Sequence, residues 1–296
     1  MSTMVVVAFF AQTLRIAVPY LLAAAGGVMS ERSGLIALTL EGYMLGGAFG
    51  AAIGSYYSGS PVVGALLGMV IGTALALLYA VSALRFRANQ VVTGVAINLL
   101  VIGLTRFFLR LLFDSSSNSP RVPGFGRAST GSGFGALALN PLVYAGLLSL
   151  VLVGWVLART AFGLRVRAVG EHPEAAASVG VNVARTRYLA VAASGALAAL
   201  GGVYLALDQH QFTDQMTAGR GFIAISAVIF GRWDPIRAAL ACLLFAAAET
   251  LQIQLQGSHA IASQFIEMIP YALTIVALAG VVGRAVPPAA LGKVED

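Results

Sequence analysis

Gly34-Leu35-Ile36-Ala37-Leu38-Thr39-Leu40-Glu41-Gly42-Tyr43-Met44-Leu45-Gly46-Gly47-Ala48-Phe49-Gly50-Ala51-Ala52-Ile53 is a run of 20 residues carrying one charged side chain, Glu41. That is about the length a helix needs to cross a bilayer. Gly42, Gly46, Gly50 and Gly54 recur every four residues, and Gly64, Gly68 and Gly72 repeat the spacing on the next apolar run. Each series therefore lines a nearly side-chain-free stripe, the small-xxx-small pattern that lets helix backbones approach where lipid supplies no hydrophobic drive. The competing reading is composition, since 34 glycines in 296 residues make some such pairs by chance.

The rest of the chain has the same character. Apolar residues make up 58% and charged residues 10%, where a soluble domain carries roughly 25% charged residues. Leaving that apolar surface in water is heavily unfavourable at about 25 cal/mol per Å², so the bilayer is the natural solvent. The reading is an all-α, polytopic transmembrane helical bundle of about 8–10 spans, with residues 1–296 as a single transmembrane domain. Candidate runs are Met4 to Val28, Gly34 to Ile53, Pro61 to Leu84, Val91 to Phe113, Pro141 to Leu157, Tyr188 to Leu207, Phe222 to Phe230, Ile236 to Leu255 and Phe265 to Val282. The first lacks a basic n-region and contains Arg15, so it reads as a retained helix rather than a signal peptide. Cys242, the single cysteine, reads as a small core residue.

Charge gives the sidedness. The net charge of +6 marks cytoplasmic loops rather than nucleic-acid binding. Arg159, Arg165, Arg167, Arg185 and Arg187 place residues 159–187 in the cytoplasm. The polar stretch 114–140, with Ser115 to Pro120 and scattered glycines, has no helical period and reads as an external loop. Arg106 and Arg110 fit this scheme poorly, lying just before that loop, and either face the interior or snorkel.

A self-comparison suggests two related halves. Gly34-Leu35-Ile36-Ala37-Leu38-Thr39 matches Gly221-Phe222-Ile223-Ala224-Ile225-Ser226, each after an arginine, and Pro61-Val62 with Ala65-Leu66 echoes Pro235-Ile236 with Ala239-Leu240. Transporters built from repeats bring short, Gly-interrupted segments together near the bilayer midplane; the alternative is that Gly/Ala/Leu-rich text repeats easily. A true repeat makes Thr39 and Ser226 equivalent hydroxyls near a pathway. Acids in hydrocarbon are costly, so Glu41 is either salt-bridged inside the protein or lines the route. Asn98 and Glu249 are either interhelical hydrogen-bond partners or substrate contacts.

Catalytic chemistry is not nominated. The only lysine, Lys293, precedes Val294, so there is no Gly-Lys-Ser/Thr loop, and no HExxH, G-x-S-x-G or Cys/His metal spacing occurs. His210 with Asp208 and Asp214 is either a metal-capable external cluster or a solvated loop. No metal site and no catalytic residue is expected. Gly170-Glu171-His172-Pro173-Glu174-Ala175-Ala176-Ala177-Ser178-Val179-Gly180 reads as a short helix. Pro173 suits its first turn, Glu171 and Glu174 its positive end, and Gly180 its stop. It is either a docking helix for another protein or an ordinary connection.

Resemblance takes the reading further. Arg167-Ala168-Val169-Gly170-Glu171-His172-Pro173-Glu174-Ala175-Ala176 resembles the coupling-helix loop, with its Gly-Glu-Asn-Pro-x-Ala-Ala pattern, of bacterial ABC importer permeases of the branched-chain amino acid and simple-sugar type, with His172 in place of Asn. Ser30 to Gly42 resembles the Glu-Arg-Ser-Gly-Val-Ile-Asn-Ile-Gly-Leu-Glu-Gly signature of the nucleoside branch, with Ala37 for Asn and Thr39 for Gly. Phe230 to Pro235 and Pro288 to Lys293 are similar to that branch as well.

The resemblance implies a multi-pass permease subunit in a bacterial plasma (inner) membrane. It implies a second permease subunit, identical or different, two cytoplasmic ABC ATPase subunits that hold ATP and magnesium, and a substrate-binding lipoprotein or periplasmic protein. This chain itself would hold no cofactor. ATPase coupling would fall to Arg165, Arg167, Gly170, Glu171, His172, Pro173, Glu174, Ala175, Ala176 and Gly180. The pathway would be shaped by Thr39, Glu41, Tyr43, Asn98, Phe222, Ser226 and Glu249. Nucleosides are the expected cargo, simple sugars or branched-chain amino acids the alternatives. The rival is a self-sufficient secondary transporter or channel using Glu41 or Glu249 for ion coupling.

Overall fold

The computed structural model describes residues 3–125, 140–256 and 286–293. Ten α-helices lie within them: α1 (Thr3–Glu31), α2 (Leu40–Ser58), α3 (Pro61–Ala80), α4 (Gln90–Phe113), α5 (Pro141–Arg159), α6 (Ala161–Glu171), α7 (Pro173–Ser178), α8 (Val183–Asp208), α9 (Arg220–Phe230) and α10 (Pro235–Gln256). A π-helical turn, Val81–Arg85, extends α3. The starts follow from local chemistry, because the first-turn N–H groups of a helix need an acceptor. Asn89, Asn140, Thr160 and Asn182 each accept from the backbone of the turn they precede. Pro61, Pro141 and Pro173 stand where the missing N–H costs nothing.

Six helices are long and apolar enough to cross a membrane among the described residues: Val6–Glu31, Pro61–Arg85, Gln90–Phe113, Pro141–Arg159, Val183–Asp208 and Pro235–Gln256. Two expected spans take another form. The Gly34 to Ile53 run is broken, with residues 34–39 in turns and irregular backbone before α2 begins at Leu40. The Phe222 to Phe230 run is the short helix α9, 11 residues long. The Phe265 to Val282 run and residues 126–139 of the expected external loop lie outside the described residues.

Helices α2 and α8 form the centre. α2 packs on α3 and α8, and α8 also contacts α1 and α3. The glycine stripes lie on these contacts. A methyl group on Gly64 would stand 2.6 Å from the Ala51 carbonyl oxygen, and one on Gly68 2.5 Å from that of Gly47. One on Gly72 would lie 2.3 Å from Ala199 Cβ. Gly46 and Gly50 receive Leu75 and Ile71 side chains, Gly54 faces the Gly64 backbone, and Gly42 faces Asn98. The α8 side of the contact was not singled out from sequence: Gly195 and Gly202 meet backbone oxygens of Gly72 and Met44. Their spacing to Ala199 and Ala198 was the available signal.

The two ends differ. At the arginine-rich end, Arg187 Nε donates to the Ser33 carbonyl at 3.1 Å and Arg32 Nε to that of Trp233 at 2.9 Å. At the other end, Ser119 N donates to Phe212 O and Val122 N to His210 O, both at 2.8 Å, and Ser55 Oγ bonds the Pro123 carbonyl. Residues 114–123 and 209–214 therefore share that end. Arg106, the misfit of the charge pattern, reaches Asp214 at 2.9 Å.

Candidate functional site

Helix α9 is too short to cross a bilayer. Eleven residues rise roughly 16 Å at 1.5 Å each, about half of the roughly 30 Å hydrocarbon thickness. Its C-terminal end is pinned at the arginine-rich side, where Trp233 Nε1 donates to Glu31 Oε2. Its N-terminus therefore stops about half-way through the bundle, leaving first-turn N–H groups that must find acceptors away from water.

Glu41 supplies the acceptors. Its Oε1 takes the Thr217 hydroxyl at 2.6 Å and the Gly219 N–H at 2.9 Å, and its Oε2 takes the Gly221 N–H at 2.7 Å. A negative charge at a helix N-terminus is stabilising, and Gly221 lets the backbones meet: a Cβ there would stand 2.5 Å from Glu41 N. Asn98 treats the break before α2 in the same way. Its Oδ1 accepts from Gly42 N at 2.9 Å and its Nδ2 donates to Leu38 O at 2.8 Å. Two helix starts, α2 and α9, thus meet at mid-depth, each satisfied by a polar side chain from another helix.

Beside this junction is a cavity of about 210 Å³ whose walls include Glu41, Asn98, Ile102, Gln215, Thr217 and Phe222. Of the expected pathway residues, Glu41, Asn98 and Phe222 come together here, with Phe222 45% exposed. Ser226 lies one turn along the same face of α9, its Oγ donating to the Phe222 carbonyl at 3.0 Å. Thr39 and Tyr43 are each 1% exposed and do not line the cavity. Thr39 and Ser226 are not equivalent in conformation, the first ending an irregular segment and the second lying inside a helix. The second matched segment, through Gly221, nevertheless meets Glu41, two residues beyond the first.

Glu249 is placed elsewhere. Its carboxylate accepts from Arg220 at 2.9 Å and from the Tyr20 hydroxyl. Arg220 also donates to the Met216 and Thr217 carbonyls at 3.3 and 3.4 Å, so Glu249 braces the loop that leads into α9. Sequence reasoning did not nominate Gln215, Thr217 or Gly219, and noted Arg220 only as the arginine ahead of the matched segment. The signal was Ala218-Gly219-Arg220-Gly221, two glycines flanking an arginine ahead of a short apolar run. Positive φ angles at His210, Gln215, Ala218 and Gly219 show a tightly turned segment. The expected His210, Asp208 and Asp214 cluster does not form. Asp208 pairs with Arg15 at 2.9 Å, Asp214 with Arg106, and His210 Nδ1 lies 3.2 Å from the Val122 carbonyl. Among the described residues no group of three such side chains could hold a metal.

The second feature is at the arginine-rich end. Pro173 opens α7 and Glu174 occupies its first turn, while Gly180 beyond it has φ +86°. Glu171 corrects the expectation: it is the last residue of α6, not part of the short helix, because Pro173 starts a new helix after the break at His172. It lies 3.9 Å from Arg32 and accepts from Ala289 N at 3.2 Å. Half-burial lowers the pKa of the Arg32 guanidinium, against the opposing pull of Glu171 and Asp234. Gly170 is buried, a Cβ there meeting the Arg32 carbonyl oxygen at 2.0 Å. Ala176 is buried, whereas Arg165, Arg167, His172, Glu174, Ala175 and Val179 are exposed, Val179 at 78%. A groove of about 880 Å³ runs between α7, the start of α8 and residues 289–293.

Comparison with known proteins agrees over nearly the whole chain. Residues 9–278 match the family model described as branched-chain amino acid transport system / permease component. The chain is 38% identical to the guanosine ABC transporter permease protein NupQ of Bacillus subtilis, covering 95% of this chain and 93% of that protein. It is 35% identical to the nucleoside ABC transporter permease protein NupC of Lactococcus lactis, covering 93% and 92%. It is also 35% identical to the putative glucose ABC transporter permease protein TsgC13 of Haloferax volcanii, covering 83% and 77%.

Proposed function

The chain belongs to the branched-chain amino acid transport system permease-component family, and from that premise we propose that it is the membrane subunit of an ATP-driven importer whose cargo is a nucleoside. The observation that carries the reading is the mid-depth cavity at the junction of α2, α4 and α9. It offers an aromatic residue, Phe222, and polar groups from Gln215, Thr217, Asn98 and Glu41. A nucleoside combines a flat base with ribose hydroxyls, and an aromatic face beside hydrogen-bonding groups suits both. The names of the guanosine and nucleoside relatives point the same way.

In this reading the arginine-rich end is cytoplasmic, and the exposed face of α7 docks an ABC ATPase that binds ATP and magnesium. A second permease completes the pathway, and a substrate-binding protein delivers cargo at the end formed by residues 114–123 and 209–214. The membrane would be a bacterial inner membrane. ATP drive is favoured over ion coupling because the two acids that the ion-coupled rival would use are both engaged: Glu41 with three donors, Glu249 with Arg220 and Tyr20. A carboxylate occupied by protein donors has fewer lone pairs left for a passing cation.

The test is uptake of radiolabelled guanosine, uridine, glucose and leucine by cells with and without the intact chain, at clamped ATP and with an uncoupler. Nucleoside uptake that survives the uncoupler supports the proposal. Uptake of glucose or leucine alone assigns another cargo, and uptake abolished by the uncoupler while ATP is maintained defeats the ATP-driven reading.

A further inference from the structure

Residues 286–293 return to the arginine-rich end and fasten to two separate places. Ala290 N donates to the Gly170 carbonyl at 2.9 Å and Ala289 N to Glu171 Oε2 at 3.2 Å, both at the end of α6 beside α7. Two residues on, Gly292 N donates to the Gly34 carbonyl at 3.1 Å, in the broken segment that leads to α2. The strap is internally turned, Leu291 N bonding Pro288 O at 3.0 Å and Lys293 N bonding Ala290 O at 3.2 Å. Ala290 is buried and Leu291 packs on the core. Gly292 has φ +75°, a left-handed conformation that favours glycine, and a Cβ there would stand 3.0 Å from Ile36 Cδ1. The outer side of the strap, through Ala289, Ala290 and Lys293, forms one wall of the groove beside Glu171 and Glu174.

We infer that this strap relays the ATPase-driven motion of α6 and α7 to the segment that carries Glu41. The inference rests on the importer reading above. Hydrogen bonds weaken steeply once stretched or tilted, so a shift of 1–2 Å, the usual scale of a helix movement, cannot leave all three bonds intact unless the Gly34 turn follows. Ile36, against Gly292, is held by the Tyr79 hydroxyl at 2.7 Å and by Gln90 at 2.9 Å. A displaced turn therefore pulls on α3 and α4 and, through five further residues, on Glu41 and the start of α9. Coupling loop and turn also touch directly, Gly170 packing against the Arg32 carbonyl and Glu171 lying 3.9 Å from Arg32. The strap adds hydrogen bonds to both sides of that contact.

The experiment compares wild type, Ala290→Pro and Ala290→Gly in the complete complex in proteoliposomes, reading ATP hydrolysed per nucleoside taken up. Ala290→Pro deletes the N–H donated to Gly170; Ala290→Gly keeps it. The expected result is that Ala290→Pro retains the ATPase and hydrolyses ATP within twofold of wild type, yet takes up nucleoside at least tenfold more slowly. Ala290→Gly should stay within twofold on both counts. An unchanged ratio in Ala290→Pro overturns the relay, and so does loss of the ATPase from that complex, because the strap would then serve docking alone. If Ala290→Pro does not accumulate in membranes, Gly292→Ala decides: at least a threefold rise in ATP per nucleoside supports the relay and an unchanged ratio overturns it. A wild-type complex without ATP-dependent uptake removes the importer reading and the relay together; a coupled wild type with unaffected variants removes only the relay.

Discussion

Replacing Glu41 by glutamine tests the junction of α2 and α9 directly. The carboxylate uses Oε1 for Thr217 and Gly219 and Oε2 for Gly221. A carboxamide can keep its oxygen on the first two, but its NH2 then faces the Gly221 N–H, donor against donor. Losing one charge-assisted bond costs about 1.5–3 kcal/mol, and leaving a buried donor unpaired adds about 1–3 kcal/mol. Removing the negative charge from the start of α9 adds about 0.3–1 kcal/mol. The sum is on the order of 4 kcal/mol, which at about 1.4 kcal/mol per decade moves the opening of the first turn of α9 by about three decades. Thermal unfolding of the purified chain in detergent should show a clear loss of stability, and nucleoside uptake per chain in membranes should fall at least tenfold. If instead Glu41 were a protonated ion-coupling acid, glutamine would be its isostere and the fold would barely notice. A Glu41→Gln chain with wild-type melting and full uptake therefore refutes the anchoring argument.

Other perturbations probe the remaining contacts. Gly202→Ala places a methyl 1.8 Å from the Met44 carbonyl oxygen and should destabilise by about 1–3 kcal/mol or more, read as lost melting temperature or lost membrane accumulation. Gly103→Ala, with nothing within 4 Å, should raise stability by about 0.5–1 kcal/mol in the same assay. Arg220→Met leaves Glu249 with Tyr20 alone; the pair is about one-fifth exposed, so the cost should be about 1–3 kcal/mol rather than the larger figure for a fully buried pair, measured by melting. Glu174→Arg reverses an exposed charge in the first turn of α7 and should abolish co-purification of the ATPase while the amount of chain in the membrane is unchanged.

Composition alone sufficed for the class of the fold, because a chain with 10% charged residues has no stable arrangement in water. Local chemistry also fixed the limits of α7: proline dispenses with an N–H at a helix start and glycine accepts a left-handed stop. The assignment of Glu171 to that helix was wrong because Pro173 is the first residue of the helix rather than a later residue of its first turn. Other features were invisible for a common reason. In a bilayer the lipid-facing and inward-facing sides of a helix are both apolar, so hydropathy does not tell which side of α2 or α9 faces a neighbour, and a broken run such as residues 34–39 reads like a continuous one. The Glu41–Gly221 bond joins residues 180 apart, and the strap at Gly292 returns to Gly34. Such pairings arise because backbone N–H and C=O groups freed by each break cannot turn to water inside the membrane and must take whichever partner the packed helices bring within reach. That choice belongs to the tertiary structure.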